Sequence, residues 1–182
     1  MPGVEGRVAL VTGAGRGIGR ATVELLVGRG ARVMATARTE AELKTLGVDY
    51  VVADLGTREG CALAVKETRE RLGPVEILVC NHGLGSAHER VIWEQGEEVW
   101  REMMQINLDG PFYLARDVVT DMIDGGYGRL VFTSSTAGKI AEYAGSAYTT
   151  SKHGLLGLMR SLARDAGPHG VTSNAVLPGW VR

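Results

Sequence analysis

Cysteine and histidine are scarce in this sequence, and neither is spaced for metal binding. Cys61 and Cys80 form no Cys-x-x-Cys pair, so neither a disulfide framework nor a zinc site is readable. The four histidines show no His-x-x-x-His spacing, which metal ligands on a helix would need. We therefore predict no metal site, and a reducing cytoplasmic location is the default expectation.

The sequence also has no large net charge and no long apolar run. The 20 Lys and Arg residues nearly balance the 21 Asp and Glu residues, for a formal net charge of -1. This balance argues against a nucleic-acid or membrane partner held by bulk electrostatics. No apolar run approaches the roughly 18 residues that cross a bilayer, and the first residues carry no apolar signal segment. The length of 182 residues, 45% of them hydrophobic, predicts one globular domain over residues 1–182.

Short apolar runs without alternation are separated by longer helical stretches. The predicted strands cover residues 8–11, 32–36, 50–53, 77–80, 130–133 and 171–176. The first predicted helix follows the first strand and ends near residue 28 or 30. The other predicted helices cover about 40–46, 58–72 (after an N-cap at Thr57), 97–105, 110–123 and 146–166. A parallel sheet that is covered on both faces requires such strands. We predict an α/β fold with a doubly wound parallel sheet of the Rossmann type.

Glycine is the residue in excess, with 26 in the chain, about twice the usual share of roughly 7%. One cluster, Thr12-Gly13-Ala14-Gly15-Arg16-Gly17-Ile18-Gly19, joins the first strand to the first helix. Backbone amides and the helix dipole make such a turn an anion site, and glycine lets a pyrophosphate approach closely. A tight turn without a ligand is the alternative, but the position after the first strand favours a dinucleotide.

Several motifs occur in order along the chain. They are Thr12-Gly13-x-x-x-Gly17-x-Gly19, Asp54-Leu55, Asn81-His82-Gly83, Asn107, Ser135 with Tyr148-x-x-x-Lys152, and Asn174-Ala175-Val176-Leu177-Pro178-Gly179. This series resembles the short-chain dehydrogenase/reductases, and its 3-oxoacyl-acyl-carrier-protein reductase and carbonyl reductase members in particular. The resemblance covers essentially the whole chain. One departure is Cys80-Asn81-His82-Gly83, where the family usually has Asn-Asn-Ala-Gly.

The residues of the Tyr148 motif have a chemistry of their own. Tyr148 and Lys152 share a face of the predicted helix, and an ammonium group favours the phenolate form of a nearby tyrosine. Such a phenol exchanges a proton with a carbonyl or alcohol oxygen, which Ser135 can also reach from the end of another strand. The resemblance adds Asn107, which would hold a water that links Lys152 to solvent. The alternative interpretations are that Tyr148 and Lys152 form a surface pair without a role, that Ser135 merely ends a strand, and that Asn107 caps a helix kink.

The second strand indicates which nicotinamide cofactor is used. An acid that would hold the ribose of NAD is missing there, because Ala37 and Arg38 occupy the position. Arg38, together with Arg16, can pair with a 2′-phosphate, so NADP(H) is expected rather than NAD(H), unless both arginines are merely solvated. The predicted cofactor-binding residues are Gly13, Gly15, Arg16, Gly17, Ile18, Gly19, Arg38, Asp54, Leu55, Asn81, Gly83, Tyr148, Lys152, Pro178 and Gly179.

These inferences predict an oxidoreductase that transfers a hydride between NADP(H) and a carbonyl or secondary alcohol. Tyr148 would be the general acid and base. The resemblance implies a homodimer or homotetramer that uses helices 110–123 and 146–166, and a further C-terminal part with a substrate lid and a last strand. His88, Trp93, Ala141, Tyr143 and Ala144 are candidates for lining the substrate pocket. The alternatives are an NADP(H)-sensing regulator and an inactive, truncated chain that acts as an interaction partner.

Overall fold

A six-stranded parallel sheet in the order β3-β2-β1-β4-β5-β6 forms the centre of the molecule. The computed structural model describes residues 3–87 and 89–180. The strands are β1 (Val8–Thr12), β2 (Arg32–Ala37), β3 (Asp49–Val52), β4 (Ile77–Cys80), β5 (Gly128–Thr133) and β6 (Val171–Val176). The predicted Rossmann-type sheet is therefore confirmed, with every strand within two residues of its predicted bounds.

Helices connect the strands and cover both faces of the sheet. They are α1 (Gly17–Gly28), α2 (Glu40–Lys44), α3 (Arg58–Leu72), α4 (Glu97–Met104), α5 (Gly110–Asp124) and α6 (Ser146–Ala166). The predicted N-cap of α3 is confirmed, because the Thr57 hydroxyl accepts a hydrogen bond from the Gly60 amide at 3.0 Å. Short 3-10 turns cover Ile92–Glu94, Thr136–Gly138 and Gly167–His169. None of the helices in the described ranges is long and apolar enough to span a bilayer.

Alternate side chains of each central strand pack into separate cores. Leu10, Leu78 and Leu130 are fully buried against α3, α5 and α6. Ala9 and Val79 lie on the opposite face, in the core that includes residues of α1 and α2. Because both faces of these strands are covered, a polar side chain at any of their positions would lose the stabilisation that apolar burial provides. This explains why the strands are apolar without alternation.

The connection between α4 and α5 differs from the prediction of two separate helices. Gln105–Asp109 forms a π-helical turn, so the chain stays helical from Glu97 to Asp124. A Cβ on Gly110 would overlap the carbonyl oxygen of Leu55. Gly110 is therefore required by close packing and does not end the helix. Single π-turns inside α-helices are frequent at functional sites.

The position of the functional site follows from the strand order. β1 lies between β2 and β4, so the order reverses between β1 and β4. Ligands of open parallel sheets bind in the crevice at the carboxyl ends of the strands next to such a reversal. Thr12 ends β1 and Cys80 ends β4, and the loops that follow them carry the predicted motifs.

Candidate active site

The glycine loop between β1 and α1 adopts a conformation that needs glycine at two positions. Gly13 and Gly17 have φ angles of 60° and 54°, in the left-handed region that other residues rarely occupy. Gly19 is required for a different reason, because a Cβ there would overlap the Gly13 carbonyl oxygen. The loop leads into α1, which has no side-chain cap, so the first amides of this helix are available to a ligand.

A cleft of about 330 Å³ opens beside this loop at the strand reversal. Half of its sixteen lining residues belong to the predicted cofactor set: Gly13, Gly15, Arg16, Arg38, Asp54, Leu55, Asn81 and Gly83. It carries both predicted cations, Arg16 and Arg38. It also contains Glu42, which the sequence analysis did not single out. A Cβ on Gly15 would overlap the Glu42 carboxylate, so an acid lies against the glycine loop.

A second cleft of about 290 Å³ adjoins the first. The two share Asn81, Gly83 and Leu84. The remaining lining residues of the second cleft are Ile18, Gly85, Thr133, Ser134, Ser135, Tyr148, Lys152, Pro178 and Gly179. The structure thus brings the predicted catalytic side chains of β5 and α6 together beside the glycine loop. Gly17, Gly19 and Asn107 line neither cleft.

Lys152 is buried and reaches the end of β5. Its Nζ donates a hydrogen bond to the Thr133 carbonyl oxygen at 3.1 Å and lies 5.6 Å from the centre of the Tyr148 ring. Burial lowers the pKa of Lys152 to about 8, because an ammonium group loses hydration in the interior. Lys152 can therefore exchange a proton close to neutral pH, next to a half-buried tyrosine.

Asn107 lies within the π-helical turn and is fully buried. Its Oδ1 accepts from the Leu84 amide at 2.7 Å, and its Nδ2 donates to the Leu84 carbonyl at 3.0 Å. Asn107 therefore fixes the backbone of the loop after β4. Gly83 lies beside both Asn107 and Lys152, since a Cβ there would lie 3.0 Å from the Asn107 Oδ1 and 3.3 Å from the Lys152 Nζ.

Ser135 follows β5 and is 8% exposed. Its Oγ accepts a hydrogen bond from the Ala137 amide at 3.1 Å. A hydroxyl has one donor and two acceptor positions, so this bond leaves the proton of Ser135 available to a ligand. Its neighbour Ser134 has a different role, because it donates to the Lys152 carbonyl at 3.1 Å and so ties β5 to α6.

The ring of His82 points inward from the edge of the first cleft. Its Nδ1 lies 2.7 Å from the Thr12 Oγ1, and its Nε2 is buried without a partner in the described residues. Burial and then the Lys152 charge lower the pKa of His82 to about 3, so the imidazole is neutral at physiological pH. His82, which departs from the family's usual residue at this position, thus faces the interior and not solvent.

Two candidates for the substrate pocket are far more exposed than cleft residues. Trp93 and Tyr143 are 80% and 91% exposed. Neither they nor Ala141 and Ala144 line the two clefts. His88 lies outside the described residues.

A family model of short chain dehydrogenases matches residues 7–182. The chain belongs to the short-chain dehydrogenase family. The solved structure of an actinorhodin polyketide ketoreductase variant with NADPH superimposes with a TM-score of 0.92 at 34% identity. That comparison covers 97% of this chain and 71% of the ketoreductase. The resemblance inferred from the motifs is thereby confirmed.

Curated relatives in this family use different substrates. The 3-oxoacyl-(acyl-carrier-protein) reductase of Salmonella typhimurium is 34% identical over 184 residues, covering 97% of this chain and 74% of the relative. A 2-dehydro-3-deoxy-L-rhamnonate dehydrogenase (NAD(+)) of Sphingomonas is 36% identical over 180 residues, covering 95% of this chain and 71% of the relative. Both names describe oxidoreductases; the second relative is named for NAD(+), whereas the ketoreductase structure contains NADPH.

Proposed function

We propose that this short-chain dehydrogenase transfers a hydride between NADP(H) and a carbonyl or secondary alcohol. The observation that carries the proposal is the junction of the two clefts. Ser135, Tyr148 and Lys152 line one cleft, the glycine loop lines the other, and the two share Asn81, Gly83 and Leu84. A dinucleotide that lies along both clefts would reach the catalytic side chains with its nicotinamide end.

The first cleft fits a dinucleotide in shape and charge. Positive φ angles at Gly13 and Gly17, together with the amino end of α1, suit a pyrophosphate. Arg16 and Arg38 both line the cleft, and Arg38 directly follows β2, whose last residue, Ala37, leaves no acid at that position. These two cations support NADP(H) over NAD(H). When bound, the nicotinamide supplies or accepts the hydride.

Three side chains would handle the substrate oxygen and its proton. Tyr148 donates a proton to the oxygen during carbonyl reduction and accepts it back during alcohol oxidation. Ser135 donates a hydrogen bond to the same oxygen. Lys152, with its pKa near 8, stabilises the phenolate that remains and returns a proton to it.

Asn107 would complete the proton path on the far side of Gly83. Its Oδ1 and the Lys152 Nζ both face the position that a Gly83 side chain would fill. A residue larger than glycine there would separate them. We propose that protons reach Lys152 from solvent past Asn107, and that residues 1–182 act as one catalytic domain in a cytoplasmic homodimer or homotetramer.

The test of the cofactor is a titration of the purified protein with NADPH and NADH, followed by nicotinamide fluorescence. We expect tighter binding of NADPH. Arg38→Asp should weaken NADPH binding by about 10- to 100-fold, because a charge-assisted hydrogen bond contributes about 1.5–3 kcal/mol. Binding of neither nucleotide to folded wild-type protein would overturn the proposal, and an unchanged preference in Arg38→Asp would overturn the role of Arg38.

Two matched variants separate a local charge from the net charge. Arg29→Asp makes the same charge change on an exposed arginine at the far end of α1, and it should leave NADPH affinity unchanged. Glu42→Gln removes the acid that lies against Gly15, so it should tighten NADPH binding several-fold. Turnover is then measured as NADPH oxidation with a panel of ketones and 3-oxoacyl thioesters. No turnover with any of them would contradict the enzymatic proposal.

A further inference from the structure

One buried acid near the catalytic side chains has no part in the mechanism described above. Glu89 lies in the segment between β4 and α4 and is only 5% exposed. Its Oε1 accepts a hydrogen bond from the backbone amide of Tyr148. Its Oε2 is buried and has no partner in the described residues. Burying a carboxylate costs free energy unless hydrogen bonds or a paired charge compensate for the lost hydration.

The acid serves the amino end of α6. Gly145, the residue before α6, supplies no side-chain cap. Burial raises the pKa of Glu89, and the nearby Tyr148 and Ala147 backbone amides offset this rise only in part. An ionised carboxylate is favoured at the amino end of a helix. Glu89 thus replaces the missing local cap from a segment 56 residues or more away in the sequence.

The segment that carries Glu89 is itself fixed beside the clefts. Asn107 bonds both backbone groups of Leu84. The Glu89 amide donates a hydrogen bond to the Ser86 carbonyl oxygen at 3.1 Å. The short chain from Leu84 to Glu89 therefore connects the wall shared by the two clefts with the first turn of α6.

We propose that Glu89 is a positioning residue that holds the Tyr148 backbone, and with it the phenol, at a fixed place relative to the wall formed by Gly83 and Leu84. This inference rests on the proposed function of Tyr148. Displacing a reacting group by about 1 Å can cost on the order of 100-fold in rate. A directed bond to the Tyr148 amide itself limits such displacement more than a general charge near the helix end.

Three variants distinguish a directed bond from a general charge. Glu89→Ala removes the acceptor, Glu89→Gln keeps an acceptor oxygen without the charge, and Glu142→Gln removes an exposed charge near the same helix end. We expect Glu89→Ala to lower kcat about 10- to 100-fold, with KM and NADPH affinity within about twofold of wild type. Glu89→Gln should recover kcat to within about threefold of wild type, and Glu142→Gln should match wild type.

Several outcomes would overturn the positioning role. Wild-type kcat in Glu89→Ala is one, and a Glu89→Gln variant as slow as Glu89→Ala is another, because charge alone would then explain the effect. A matching loss in Glu142→Gln would contradict it as well. If Glu89→Ala does not fold, Glu89→Asp withdraws the acceptor by one methylene, and wild-type kcat in that variant would refute the proposal.

Amide hydrogen exchange provides a readout that needs no turnover. Glu89→Gln should leave exchange near the start of α6 unchanged, whereas Glu89→Ala or Glu89→Asp should accelerate it at the Tyr148 amide. Unchanged exchange at this amide would overturn the proposal for Glu89 even if the protein reduces no ketone. An absence of turnover in wild type with the expected exchange pattern would instead contradict only the proposed function.

Discussion

The charged groups at the two ends of the parallel strands, called here the amino edge and the carboxyl edge of the sheet, differ in how fully they are paired. At the amino edge, Arg7 pairs with Glu76, whose Oε2 also accepts from the Val8 amide at 3.0 Å. The guanidinium groups of Arg7 and Arg129 lie over the Tyr127 ring, at 3.9 Å and 4.1 Å from its centre. Each of these charged groups at the amino edge therefore has a partner of opposite charge or an aromatic ring beside it.

The carboxyl edge contains buried polar groups whose partners are incomplete. Lys152 has a lowered pKa, and His82 and Glu89 each keep one buried atom without a partner in the described residues. Such groups cost stability, and perturbed titratable groups cluster at functional sites. The comparison indicates that the amino edge stabilises the fold, whereas the carboxyl edge, where the proposed catalytic side chains lie, contains groups that lower stability. Substitutions at the two edges should therefore affect activity and stability separately.

The largest effect should come from the hydroxyl of Tyr148. Tyr148→Phe keeps the ring but removes the proton donor, so kcat should fall by about 10²- to 10⁴-fold. The melting temperature and NADPH affinity should stay close to wild type, because the Tyr148 hydroxyl makes no hydrogen bond within residues 3–87 and 89–180. Tyr143→Phe, which changes a 91% exposed tyrosine, is the matched control. A Tyr148→Phe variant with more than a tenth of wild-type kcat would contradict the role.

Lys152→Met should separate activity from stability most clearly. Its pKa is about 8 instead of the ordinary 10.5, so the folded state disfavours the charged form. Removing that charge should abolish measurable turnover yet stabilise the fold at pH 7 by about 2 kcal/mol, after allowing for the lost bond to Thr133. Thermal unfolding at pH 7 measures the gain. A lower melting temperature in Lys152→Met would contradict a stability cost at the carboxyl edge.

The sign of the pH dependence provides a second check on Lys152. Between pH 8 and pH 10.5 the unfolded chain binds more protons at this residue than the folded chain does. The contribution of Lys152 to wild-type stability therefore rises with pH across that window. The advantage of Lys152→Met should be complete below pH 8, shrink as the pH rises and disappear before pH 10.5, where only the lost bond to Thr133 remains. Lys139→Met, which changes an exposed lysine, should show neither the gain nor its pH dependence.

Local sequence signals predict the frame of the molecule better than its contacts. The bounds of α6 and β6 agree with the structure, because an apolar pattern and flanking glycines define them. The π-helical turn at Asn107 was missed, since Gly110 and Pro111 look like a helix break in the sequence. The need for Gly110 becomes visible only when Leu55 lies beside it.

The candidate site shows the same division. Motif order predicts the clefts that contain Tyr148 and Lys152 and their proximity to the glycine loop. Glu42 and Glu89 have no local signal, because their positions depend on tertiary contacts with Gly15 and with α6. A buried acid in an irregular segment looks like a solvated surface residue until its partner is known. The two acids beside the site are therefore the part that the sequence does not reveal.

The smallest expected effect lies at the amino edge and concerns stability alone. Glu76→Ala leaves the buried Val8 amide without its side-chain acceptor. Stability should fall by about 1 kcal/mol, the low end of the cost of an unsatisfied donor, which corresponds to roughly 2–4 °C in melting temperature. Glu76→Gln keeps an acceptor oxygen and should lose less. Neither kcat nor NADPH affinity should change, since this edge lies at the opposite ends of the strands from both clefts. A loss of activity in Glu76→Ala at a temperature where it is fully folded would show that the two edges are coupled, and the separation between a stabilising edge and a catalytic edge would then be wrong.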